Sequence, residues 1–105
     1  MLESKFQSGL IKEIKDRFPE CIVMKNDSNY IQGIPDLLIL SGDKWASLEC
    51  KKSAKAKHRP NQDYYVEKMN GMSFSAFVYP ENKEEVLNEL GRTFNRDTKG
   101  QACSI

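Results

Sequence analysis

A chain of 105 residues has room for one domain and one hydrophobic core, and not for two. Apolar residues make up 39% and charged residues 30%, the balance of a water-soluble globular chain, and no stretch approaches the length of a membrane-spanning helix. Sixteen Lys and Arg against fifteen Asp and Glu leave a formal net charge of +1, so bulk charge alone does not draw the chain to a polyanion.

Residues 3–18 carry Phe6, Leu10, Ile11, Ile14 and Phe18 at three- and four-residue spacing, which predicts a helix that Pro19 stops. Glu3 and Gln7 extend the same stripe but are polar where a core helix would be apolar. Cys21–Met24 is a short apolar run and a candidate strand, and the turn-rich residues 25–33 read as a loop. Residues 34–41 form a second strand, apolar on both faces and therefore expected in the middle of a sheet. Ser41-Gly42-Asp43-Lys44 is a hairpin turn, and Trp45–Lys51 returns as the partner strand. After a basic loop over 53–59, Pro60 suits the first turn of a helix running to about Asn70, with Tyr65, Val66 and Met69 inward and Gly71 closing it. Phe74–Tyr79 is a strand ended by Pro80, and residues 82–94 form a last helix led by Val86, Leu87 and Leu90. The order is α-β-β-β-α-β-α: one domain over 1–94 with a mixed sheet, followed by a polar tail over 95–105 expected to be loose.

Three cysteines, Cys21, Cys50 and Cys103, are odd in number and widely spaced, which argues against a disulfide framework and a structural zinc site. The first residues lack the apolar run of a signal peptide, so a reducing, cytoplasmic setting is expected. From Lys51 to Arg59 the chain holds Lys51, Lys52, Lys55, Lys57, His58 and Arg59 without an acidic residue. Such a run is either a solvated loop or an edge that binds phosphate.

The turn fixes the register of the hairpin. With Gly42 and Asp43 as its two central residues, Ser41 faces Lys44 and Leu40 faces Trp45; continuing, Asp36 falls opposite Glu49 and Lys51 opposite Ile34. Opposed residues share a face with Cβ atoms about 4.5–5.5 Å apart. Asp36, Glu49 and Lys51 are therefore expected on one side of the sheet, with Cys50 on the other. Two opposed carboxylates at the end of an apolar strand repel each other, and desolvation adds to the cost. A hard divalent cation, Mg²⁺ or Mn²⁺, relieves both, held by Asp36, Glu49 and the Cys50 carbonyl, with Lys51 beside it to orient water and stabilise phosphate charge. The plainer reading is a surface ion cluster in which Lys51 simply pairs with Glu49.

At these residues the sequence resembles the PD-(D/E)xK nuclease superfamily. Gly33-Ile34-Pro35-Asp36 is similar to its Pro-Asp motif and Glu49-Cys50-Lys51 to its Glu-x-Lys motif. Within the superfamily the chain most resembles the VRR-NUC domain, the virus-type replication-repair nuclease, in its small stand-alone phage-like form. Gly-x-Pro-Asp, Glu-x-Lys, Gln62 early in the next helix and Gly71 at its end carry that likeness, which spans about residues 3–90. The resemblance implies a restriction-endonuclease-like fold and metal-dependent hydrolysis of DNA phosphodiesters, with Asp36 and Glu49 as metal ligands and Lys51 as the catalytic lysine. It also implies an acidic residue on the first helix, for which Glu3 is the candidate. Stand-alone relatives imply branched DNA, such as a four-way junction, as substrate.

Gln62 shares the inward stripe of its helix, so its amide needs partners: either it is a satisfied core glutamine or it touches the site. Lys52, Lys55, Lys57, His58 and Arg59 are the candidate DNA contacts, with His58 expected to face phosphate or solvent and Tyr64 expected exposed. A homodimer is expected, because association helps a small domain and because two sites would make paired cuts. Two other classes compete: a non-catalytic nucleic-acid-binding module, and a small α/β interaction protein whose charges are only surface pairs.

Overall fold

The computed structural model describes residues 2–95; Cys103 and most of the expected polar tail lie outside them. The elements run α1 (Glu3–Arg17), β1 (Ile22–Lys25), β2 (Leu37–Ser41), β3 (Lys44–Cys50), α2 (Pro60–Asn70), β4 (Phe74–Val78) and α3 (Lys83–Phe94), with one 3₁₀ turn over Pro80–Asn82. The four strands lie in chain order in one sheet; β1, β2 and β3 pair antiparallel and β3 with β4 parallel. The α-β-β-β-α-β-α order and the mixed sheet are those expected from the sequence. The strand expected over 34–41 begins only at Leu37, because residues 34–36 belong to the loop that brings Asp36 in.

Alternation along each strand sorts the sheet into two unlike faces. Leu37 and Ile39 from β2, Ala46, Leu48 and Cys50 from β3 and Val78 from β4 turn to one face. There they meet Phe6, Leu10 and Ile14 of α1 and Val86, Leu87 and Leu90 of α3, all buried. Arg17 to Glu84 (2.8 Å) and Lys83 to Glu13 (2.9 Å) tie the two helices together at the rim. On the opposite face α2 covers β3 and β4, where Ser47 Oγ donates to Ser75 Oγ (2.8 Å) and touches Met69 Sδ (3.7 Å). Among the described residues, no helix covers the β1–β2 half of that face. Ile22 and Met24, opposite Leu40 and Leu38 in register, are 59% and 45% exposed.

The hairpin register is the expected one, from Ser41 opposite Lys44 to Leu37 opposite Leu48, and Gly42 takes the left-handed conformation (φ 63°) that the turn requires. Cys21 and Cys50 carry free thiols. No described helix is long and apolar enough to cross a membrane.

Candidate active site

The hairpin ends where the chemistry begins. Asp36 precedes β2 and Glu49 is the last residue but one of the partner strand, one register step beyond Leu37 and Leu48, so the two acids meet as the turn dictates. Their hydrogen bonds cross: the Asp36 N–H donates to Glu49 Oε1 (3.2 Å), and the Cys50 N–H donates to Asp36 Oδ2 (2.9 Å). Glu49 is 3% exposed. Burial, then the charge of Asp36, pushes its carboxyl up to about 8. Burial also raises Asp36, opposed by the Cys50 N–H and Lys51. Two acids that resist ionisation side by side form a site short of positive charge.

Lys51 does not neutralise them by direct pairing. Buried at 7% exposure, its ammonium donates to Gln62 Oε1 (2.7 Å) and to the Lys57 carbonyl (3.0 Å). The ion cluster with Lys51 paired to Glu49 is therefore not what forms. Gln62 sits between them, with Nε2 donating to Glu49 Oε2 (2.9 Å) and Oε1 accepting from Lys51 and from the Arg59 N–H (3.0 Å). It is satisfied, but by the acid, the lysine and the α2 N-terminus at once, so it fixes how far apart Glu49 and Lys51 stand.

Gly33 holds the Asp36 side against the Gln62 side. Its φ is 88°, and a Cβ added there would lie 2.3 Å from the Asn61 Cβ in the first turn of α2. Only glycine allows both the conformation and the approach. Gly33→Ala is expected to destabilise the fold by about 1–3 kcal/mol and to widen the site. Thermal melting and the Gln62 amide resonances would check this; an unchanged melting temperature would remove the role given to this close approach.

The two halves enclose a cleft lined by Glu3, Asp36, Glu49, Lys51 and Gln62, to which Lys57, His58 and Arg59 from one loop and Ser28, Asn29 and Gln32 from another contribute. Glu3 lies exposed in the first turn of α1 and reaches the rim. Gln7, one turn on, hydrogen-bonds the Cys50 thiol, which burial pushes up to about 12, so that sulfur is inert at neutral pH. His58 is more fixed than a solvated residue: its ring stacks on Phe77 (centroids 3.8 Å apart) and its Nδ1 meets Asp63 (3.0 Å). Lys52 and Lys55 are exposed on the loop and do not line the cleft. The polar lining from Ser28, Asn29 and Gln32 could not be anticipated from the sequence, because a turn-rich loop carries no period to reveal it.

The donor set fits a hard divalent cation. Asp36, in the loop just before β2, and Glu49, on β3, supply carboxylate oxygens, and added positive charge would relieve the repulsion between them. Among the described residues no three His, Cys, Asp or Glu side chains gather to hold an ion. The remaining ligands would be a backbone carbonyl, water and substrate oxygens.

The chain is thus a mixed α/β protein, a four-stranded sheet between helices with an Asp and a Glu-x-Lys meeting across its hairpin. The chain has a VRR-NUC-like fold: a solved structure described as a VRR_NUC domain protein superposes with a TM-score of 0.64 at 14% sequence identity, over 89% of this chain and 88% of that one. No protein-family model and no curated protein sequence matches the chain.

Proposed function

We propose that the protein is a Mg²⁺- or Mn²⁺-dependent endonuclease that hydrolyses DNA phosphodiesters, selective for branched DNA such as four-way junctions. One observation carries the reading: Asp36 and Glu49 meet in a polar cleft beside a buried Lys51 that Gln62 holds in place. Asp36, Glu49 and the Cys50 carbonyl would hold the cation, and Glu3, which lines the same cleft, is the acidic residue of the first helix assigned to complete the site. The bound cation would supply Lewis acidity and a water that ionises near neutral pH.

The chain's own residues do the rest. Lys51, desolvated and aimed by Gln62 and the Lys57 carbonyl, stabilises charge on the phosphate as the water oxygen bonds to phosphorus and the ester P–O bond breaks. Gln62 is a positioning residue: it holds the acid and the lysine at a fixed separation and prevents a direct ion pair. Lys57 and Arg59 line the cleft and hold the flanking backbone, with His58 fixed beside them and Lys52 and Lys55 extending the positive edge.

The test is cleavage of labelled duplex, flapped and four-way-junction DNA with Mg²⁺, Mn²⁺ or chelator. Metal-dependent cutting, strongest on junctions, is expected; binding without cutting under every condition would make the chain a non-catalytic DNA-binding module. Lys57→Ala keeps the backbone carbonyl that Lys51 needs. It should weaken binding and lower the salt slope by about 0.9 for each duplex phosphate that is no longer neutralised, with turnover of bound DNA unchanged. Paired cuts across a junction require two sites, which a two-fold dimer supplies. The uncovered Ile22–Met24 face supports such a dimer. Sedimentation at twice the 12.1 kDa chain mass is expected; a strict monomer would remove the paired-cut mechanism and leave the nuclease reading in place.

A further inference from the structure

We infer that the turn over residues 27–32 is the base-facing wall of the cleft, and that Tyr30 stacks on an unpaired nucleobase next to the scissile phosphate. The inference rests on the nuclease reading and deepens it, because it names the feature of the substrate that the site selects.

The turn is a built structure. Its ends are clamped where Asn26 N–H donates to the Asp36 carbonyl (2.8 Å) and Asn26 Nδ2 to the Pro35 carbonyl (2.9 Å). Within it the Asp27 carboxylate accepts from the Asn29 N–H (2.8 Å), and the Asp27 carbonyl from the Tyr30 N–H (3.1 Å). The same backbone that positions Asp36 therefore positions Tyr30.

Tyr30 is 85% exposed. A single exposed aromatic is ordinary on a protein surface, so location decides its meaning. Its neighbours Ser28, Asn29 and Gln32 line the cleft that holds Asp36, Glu49 and Lys51. By contrast Tyr64, also exposed, is engaged edge-on by Tyr65 and lies under the Lys68 ammonium.

The two loops that line the cleft differ in chemistry. Lys57 and Arg59 offer charge, which suits phosphate; Ser28, Asn29 and Gln32 offer uncharged donors and acceptors, which suit sugar and base edges. A strand bound in the cleft with its phosphates on the basic loop has the turn available for its bases. Every base has a π face, so a free ring there binds without reading sequence. A base inside a duplex is already stacked on both sides and cannot be shared, whereas the first unpaired base of a flap or an opened junction can.

The experiment uses Asp36→Asn protein, which binds without cutting, and flapped duplexes with 2-aminopurine at the first unpaired nucleotide on either side of the branch. Binding should quench the fluorophore at one of these positions. Adding Tyr30→Ala should abolish the quench and weaken flap binding about tenfold or more, with blunt duplex binding unchanged, while Tyr30→Phe and Tyr30→Trp restore both. An unchanged flap-to-duplex ratio in Tyr30→Ala, or a Phe variant as weak as Ala, would overturn the inference. Because no readout depends on cleavage, a chain that discriminates through Tyr30 yet never cuts DNA would fail as a nuclease alone. One that cuts DNA normally but discriminates equally well without Tyr30 would fail in this inference alone.

Discussion

Asp36→Asn is expected to reduce cleavage about a thousandfold or more while leaving the fold intact and, in chelator, more stable. The catalytic loss follows from removing one of the two carboxylates that meet across the hairpin end. Several kcal/mol of charge stabilisation at the phosphate depend on the cation they would hold, and each 1.36 kcal/mol is a factor of ten in rate. The fold should survive because Oδ2 of Asp36 accepts one hydrogen bond, from the Cys50 N–H (2.9 Å), which an Asn oxygen accepts equally well. Glu49→Gln should be as inactive but less favourable for stability. Both Glu49 oxygens accept, from the Asp36 N–H and from Gln62 Nε2, and a Gln there presents one of these donors with another donor. Single-turnover cleavage rates with saturating protein would separate impaired chemistry from impaired binding. Cleavage by Asp36→Asn within tenfold of the parent would end the assignment of this residue to the reacting centre.

The part of the site legible in the sequence is the part that periodicity and a two-residue turn determine. Gly42-Asp43 set the register, and the register alone placed Asp36 against Glu49, even though β2 begins one residue later than Asp36. The amphipathic stripe of α1 likewise gave Phe6, Leu10 and Ile14, all buried. What could not be read depends on residues far apart in the chain coming together. That Lys51 turns to Gln62 and not to Glu49 depends on α2 arriving with its N-terminus at the end of β3. That Gly33 is the hinge of the site depends on Asn61 lying against it. The half-exposed second face of β2 was also hidden, since apolar residues on both faces predict a covered strand and only packing shows that α2 stops at β3. Loop 26–36 has no repeat for a pattern to detect, so its clamps and the exposure of Tyr30 emerge only in three dimensions.

The same pair of acids should make the metal-free protein lose stability as pH rises through neutrality. Glu49 has a carboxyl near 8 in the fold against an ordinary value of 4.5, so the folded chain binds that proton more tightly than the unfolded one. Its contribution is complete below about 4.5 and is lost as pH climbs through 8. Asp36 is raised in the same direction and adds to the slope at its lower end. Glu13 runs the opposite way, lowered by its hydrogen bond to Lys83, so its contribution is in place throughout this window and does not tilt it. The slope for Glu49 approaches 1.36 kcal/mol per pH unit, which amounts to a few kcal/mol between pH 5 and 8. That is a large share of what a domain of this size has to lose. Cations bind the ionised pair, so Mg²⁺ at a hundredfold over its dissociation constant should return about 2.7 kcal/mol at pH 8 and very little at pH 5. Asp36→Asn should lessen the slope in chelator, since burial still raises Glu49, and should abolish the Mg²⁺ increment. Melting temperatures in chelator and in Mg²⁺, from pH 5 to 8.5, would read all of this from one set of samples. A melting temperature in chelator that stayed level or rose across that range would mean that the two acids are not forced together without a cation, and the case for a metal between them would go with it.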